Sequence, residues 1–140
     1  MKKILFSFLM FASAAVFAQQ TNSFVVVDGN VASEKFAQEN QKYIKSKQVY
    51  TASSAIPAGL KKFENYASNG ITELKMKEER FDRIEFSALN EQFNLPESNP
   101  VYFDGIQITD TNLKVIGDVL AAMEVKMIDG KQVLEIRSSK

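Results

Sequence analysis

The sequence predicts an α+β protein of two small strand–turn–helix–strand units, packed as one domain or a close pair, with mainly antiparallel pairing. Three observations carry that prediction. Short β-branched or aromatic runs stop at an Asp-Gly pair in three places, Asp28-Gly29, Asp104-Gly105 and Asp129-Gly130. Asp-Gly between apolar runs is a tight-turn signal, because Asp bonds nearby backbone and Gly accepts positive φ. Residues at helical spacing separate these runs, and the order of parts in Phe24–Met76 recurs, shortened, in Val101–Arg137.

Composition narrows the chemistry before any motif is read. The chain has 140 residues, 17 basic and 17 acidic side chains, no His and no Cys. It can form no disulfide, carries no Cys nucleophile, and lacks the commonest general base and nitrogen ligand. Balanced charge argues against a nucleic-acid partner, since neutralising phosphates needs a basic face.

The elements follow in chain order. Lys2-Lys3, an apolar run from Ile4 to Phe17 and the small-residue exit at Ala18 match a secretory leader over residues 1–18. The run is shorter than the roughly 20 residues a membrane span needs. Without Lys2 and Lys3 the remaining chain has 15 basic and 17 acidic groups, and no later segment is apolar enough to span. The expected product is exported, periplasmic or secreted, soluble and not membrane-spanning.

Residues 19–78 form the first unit. Phe24–Val27 reads as a strand, Asp28-Gly29 as its turn and Val31 as the start of a return. Ser33 caps a helix whose stripe is Phe36, Asn40, Tyr43 and Ile44, ending near Ser46. Gln48–Ala52 reads as a strand; Ile56, Leu60, Phe63 and Ala67 as a helix with Pro57 in its first turn; Ile71–Lys77 as a closing strand. Residues 79–100 are a junction holding a short strand (Ile84–Phe86) and a short helix capped by Ser87. Residues 101–140 are the second, shorter unit. Its expected parts are strands around Asp104-Gly105, a helix capped by Asp110 and holding Leu113, Ile116 and Leu120, and a hairpin about Asp129-Gly130.

FVVVDGNVAS, SKQVYTASSAIPAGLKKFENYASNGITELKMK and NPVYFDGIQIT resemble the plug-domain segment of TonB-dependent outer-membrane receptors, especially those of Bacteroidetes. The matching positions are Val27-Asp28-Gly29, Val49–Ala55 and Asn69-Gly70-Ile71 through Lys77, about half the chain beyond the leader. The resemblance implies plug-like βαββ modules in a cell-envelope protein. It does not imply transport, because nothing in these residues could build the receptors' barrel and no TonB-box peptide is evident.

No hydrolase, zincin or P-loop motif is present. Ser53-Ser54 near lysines and the pair Glu78-Glu79 are the materials for a Ser–Lys or carboxylate hydrolase, but both lack a supporting motif, and the chain reads as non-catalytic. Asp28, Asp104 and Asp129 read as turn formers rather than calcium ligands, being far apart and outside any calcium-loop pattern. No cofactor and no metal are expected. Tyr50, Tyr66 and Tyr102 are the candidate contact residues, at positions read as outward-facing. The leading expectation is an exported interaction module that offers strand edges and loops to another envelope protein. The alternative is a small-ligand binder with a cleft between its halves.

Overall fold

The computed structural model describes residues 23–51 and 56–139. The leader expected over residues 1–18 and Ser53-Ser54 lie outside those residues. The protein is mixed α+β, with ten strands among the described residues arranged in two sheets.

Strands β1 (Phe24–Val27), β2 (Asn30–Ala32), β3 (Ile44–Tyr50) and β4 (Ile71–Met76) come from the first half. Beyond them lie β5 (Arg83–Glu85), β6 (Val101–Phe103), β7 (Ile106–Ile108), β8 (Lys114–Ile116), β9 (Ala122–Ile128) and β10 (Lys131–Arg137). One sheet runs β3-β4-β1-β2-β8-β5 and the other β7-β6-β10-β9. Antiparallel pairing dominates, but β1–β4, β6–β10 and β2–β8 are parallel.

The recurrence seen in the sequence is a recurrence of topology. The order β3-β4-β1-β2 matches β9-β10-β6-β7, with the same sense at each pairing. Even the register is shared: Val27 lies opposite Leu74, and Phe103 opposite Ile136, each just before its Asp-Gly turn.

Both turns are clamped alike. Asp28 donates its N–H to the Leu74 carbonyl (3.0 Å) and accepts at Oδ1 from the Met76 N–H (3.3 Å). Asp104 donates to the Ile136 carbonyl (2.9 Å), and its carboxylate accepts from the Ser138 N–H (2.8 Å) and hydroxyl (2.6 Å). Asp and Gly both have positive φ in all three Asp-Gly turns, the backbone a two-residue hairpin requires.

Several elements differ from expectation. Helix α1 is Glu34–Glu39, capped by Ser33 as expected, and stops well before Ser46. Asn40 ends it, turning both its N–H (3.0 Å) and its side-chain amide (2.9 Å) onto the Phe36 carbonyl. A single 3₁₀ turn, Gln41–Tyr43, leads straight into β3. The segment Ala58–Tyr66 is helical but 3₁₀, nine residues long, where such runs rarely exceed four. Leu60, Phe63 and Tyr66 recur at its three-residue repeat and are its buried residues; Phe63 and Tyr66 lie against Phe24, with ring centroids 5.8 and 5.9 Å away.

The helix expected from Asp110 does not form. Leu113 is buried in the approach to β8, and Gly117–Val119 is a 3₁₀ turn. Apolar spacing there fitted a helix, but β2 has an open edge that only a strand can satisfy. Val115 fills it, opposite Val31 on one side and Ile84 on the other. Helix α2 (Phe86–Gln92) is capped in position by Glu85 rather than Ser87, and Ser87 donates its hydroxyl to the Glu85 carboxylate (3.3 Å). The Phe86 and Ser87 N–H groups donate to the Leu113 and Thr111 carbonyls, at 3.1 and 2.9 Å. Two of the orphan donors of a helix start are satisfied by the approach to β8.

One contiguous core spans both halves, from Phe24, Val26 and Phe63 through Phe86, Leu89 and Val115 to Leu134 and Ile136. Burying each such side chain contributes roughly 1.5–3 kcal/mol. No helix among the described residues is long and apolar enough to cross a membrane.

Candidate interaction surfaces

Two seven-residue strands, β3 and β9, occupy equivalent sheet edges in the two halves. An edge strand carries unpaired N–H and C=O groups and is a template for another strand. The large apolar side chains that stand exposed among the described residues are Val49 on β3, at 58%, and Val125 and Met127 on β9, at 37% and 65%. Val49 and Val125 hold corresponding places, opposite Thr72 on β4 and Leu134 on β10.

The two edges differ in charge. Lys45 and Lys47 project from β3, which carries no acidic residue. At its start the Arg80 guanidinium lies 4.5 Å from the centre of the Tyr43 ring and the Lys42 ammonium 5.2 Å. A hydrogen bond from Arg80 and the field of both cations hold the Tyr43 phenol below its ordinary pKa. β9 carries both signs. Lys126 contacts Glu135 (2.9 Å) and Glu124 (3.5 Å), and Arg137 lies 3.8 Å from Glu124. Those carboxylates, Glu135 foremost, raise the pKa of Lys126.

A third feature is an open groove of about 840 Å³ between the halves. Ser33, Lys35 and Asn65 line it from one half, Asp104 and Gln107 from the other, with Tyr66 between. Phe24 and Phe103 also line it, among mostly polar residues.

The expected contact tyrosines separate. Tyr66 is not outward-facing: it is only 9% exposed, its hydroxyl accepts from the Asp110 N–H (3.0 Å) and bonds the Thr109 hydroxyl (3.1 Å). It fastens the 3₁₀ segment to the loop after β7. Tyr50 ends β3 and Tyr102 sits in β6, both half-buried. The turn residues Asp28, Gly29, Asp104, Gly105, Asp129 and Gly130 shape backbone, and no three acidic side chains converge among the described residues. Glu91 and Glu97 do meet as a pair, and the Glu91 carboxyl, by hydrogen bond and then by charge, raises the pKa of Glu97, but in full solvent.

Sequence reading missed Val49, Val125 and Met127. The alternation Met123, Val125, Met127 against Glu124, Lys126 is visible in the sequence; that the strand has no neighbour on one side is not. The chain matches no protein family, no curated protein and no solved structure.

Proposed function

We propose that the protein is a non-catalytic interaction module of the bacterial cell envelope, exported by its leader, that binds an extended acidic segment of another envelope protein along β3. The observation that carries this is β3 itself: seven residues of open edge, five of them consecutively exposed, with Lys45 and Lys47 as its only charges. None of the ion pairs among the described residues engages Lys42, Lys45 or Lys47. An added strand would draw affinity from main-chain hydrogen bonds and selectivity from those lysines. The resemblance to receptor plug segments supports an envelope setting for such a module.

The test is capture from envelope extracts with the tagged mature chain, beside a K45E/K47E variant. One protein held by the native chain and released by the charge reversal supports the reading. Capture of nothing by the native chain, or retention unchanged by the variant, overturns it.

The polar groove supports a second reading, a binder of small hydrophilic ligands. Thermal stabilisation by a metabolite, lost on replacing Asn65 or Gln107 with Ala, would favour that one.

A further inference from the structure

β9 is built differently from β3. Asp129-Gly130 closes a two-residue hairpin, with Ile128 opposite Lys131. The closing pair of such a hairpin is hydrogen-bonded, and antiparallel ladders alternate. Ile128, Lys126, Glu124 and Ala122 therefore turn their N–H and C=O groups toward β10. Those of Met123, Val125 and Met127 turn outward, to the open edge.

The side chains alternate too. Met123, Val125 and Met127 share one face with Gln132, Leu134 and Ile136, their opposites on β10. Glu124 and Lys126 occupy the other, in the ion-pair network with Glu135 and Arg137. The neutralised Lys126 no longer guards the edge as an isolated lysine does.

Read in either direction from Val125, the strand is its own complement. Glu124 answers Lys126, Met123 answers Met127, and Ala122 answers Ile128. We propose that the protein forms a two-fold dimer by antiparallel pairing of β9 with β9 of a second copy, Val125 facing Val125 across the axis. The two four-stranded sheets then become one. In this register Glu124 lies opposite Lys126 of the second copy, and the reverse, while the methionines meet on the other face. The outward backbone groups supply about six hydrogen bonds.

Sliding by one step in either direction centres the pairing on Glu124 or on Lys126 and sets like charges face to face, which is unfavourable. The same strand thus selects its partner and its register. β3 offers no such match, because it has no acid to answer Lys45 or Lys47. An edge-only interface is small, so the dimer forms reversibly with concentration.

Sedimentation velocity of the mature chain from roughly 1 µM to 1 mM tests this across the range where weak association becomes visible. A monomer–dimer equilibrium is expected. E124K or K126E alone turns two favourable cross-strand pairs into two unfavourable ones, weakening the dimer by about thirtyfold. An equimolar mixture of the two variants restores a dimer, because each then supplies what the other lacks. V125P removes an outward N–H while leaving the charges and the hairpin bonds in place, and it too gives monomers. Circular dichroism confirms that each variant is folded. A native chain monomeric throughout, a dimer indifferent to these substitutions, or a mixture of folded variants that stays monomeric overturns the proposal. A ladder of higher oligomers, the mark of β3 pairing with β9 of the next copy, overturns it as well.

Discussion

Replacing Gly70 with Ala separates two costs that usually travel together. Gly70 follows the 3₁₀ segment at φ +96°, and a Cβ there would stand 2.6 Å from the Tyr50 carbonyl oxygen and 3.4 Å from the Thr51 Cα. The φ alone costs a non-glycine residue about 1–2 kcal/mol. The oxygen must also retreat by about 0.5 Å or more, and overpacking against backbone adds roughly 1–3 kcal/mol. G70A is therefore expected to cost about 2–5 kcal/mol in equilibrium urea unfolding. At about 4 °C per kcal/mol for a chain of this size, Tm falls by roughly 8–20 °C. Two controls divide the sum. Gly29 has φ +83° with open space around the Cβ position, so G29A carries the φ cost alone. Gly59 has neither constraint, and G59A lies within about 0.5 kcal/mol of the native protein. Amide exchange gives the local readout, with protection lost first at the Tyr50–Ile71 end of the β3–β4 pair. If G70A proves no worse than G29A, the end of β3 gives way freely and the close approach is not a constraint.

Asn90 is fully buried, and its amide donates to the Glu97 (3.1 Å) and Asn99 (2.7 Å) carbonyls. N90A leaves both acceptors unpaired and costs about 2–3 kcal/mol by urea unfolding, and N90D, which aims a carboxylate at two carbonyls, costs more. For Asp104, Asn keeps both the positive φ and an acceptor for Ser138, Gly keeps only the φ, and Ala keeps neither, so Tm should fall in the order D104N, D104G, D104A. Glu97 has a folded pKa raised first by its hydrogen bond to Glu91 and then by that neighbour's charge. The folded state holds the Glu97 proton more tightly, so this contribution to stability is full below the ordinary carboxylate range and is lost as pH rises through the raised value. E97Q removes that loss, so the variant's Tm should rise relative to the native chain's as pH climbs through the raised value. R80A removes the principal cation at Tyr43, and an ultraviolet titration should show one tyrosine ionising at higher pH than before.

What the sequence disclosed was what neighbours in the chain decide. The β9–β10 hairpin is legible because Asp129-Gly130 and the alternation on either side are local signals. The Ser33 cap and the β1 and β6 turns are legible for the same reason. β8 was misread because its conformation is set by the edge of β2, more than eighty residues earlier in the chain, whose need for a partner outweighed helical spacing. The 3₁₀ form of Ala58–Tyr66 was illegible because three- and four-residue repeats coincide over so short a stretch. For the candidate surfaces, the amphipathic pattern of β9 could be read, but its place at an edge depends on the whole strand order. Tyr66 shows the converse: a residue read as a contact candidate is held by groups 43 and 44 residues away.

The strand β8 also sets a timetable. It belongs to the second half by sequence, yet it lies between β2 and β5 in the first half's sheet. A chain emerging from its N-terminus can form β1–β4 early, but β2 keeps a bare edge until Lys114–Ile116 arrives. Completing that sheet closes a loop of most of the chain, and such distant contacts make for slow folding. The halves look like independent modules and cannot mature independently. A polypeptide of this design stays loose until it is nearly whole.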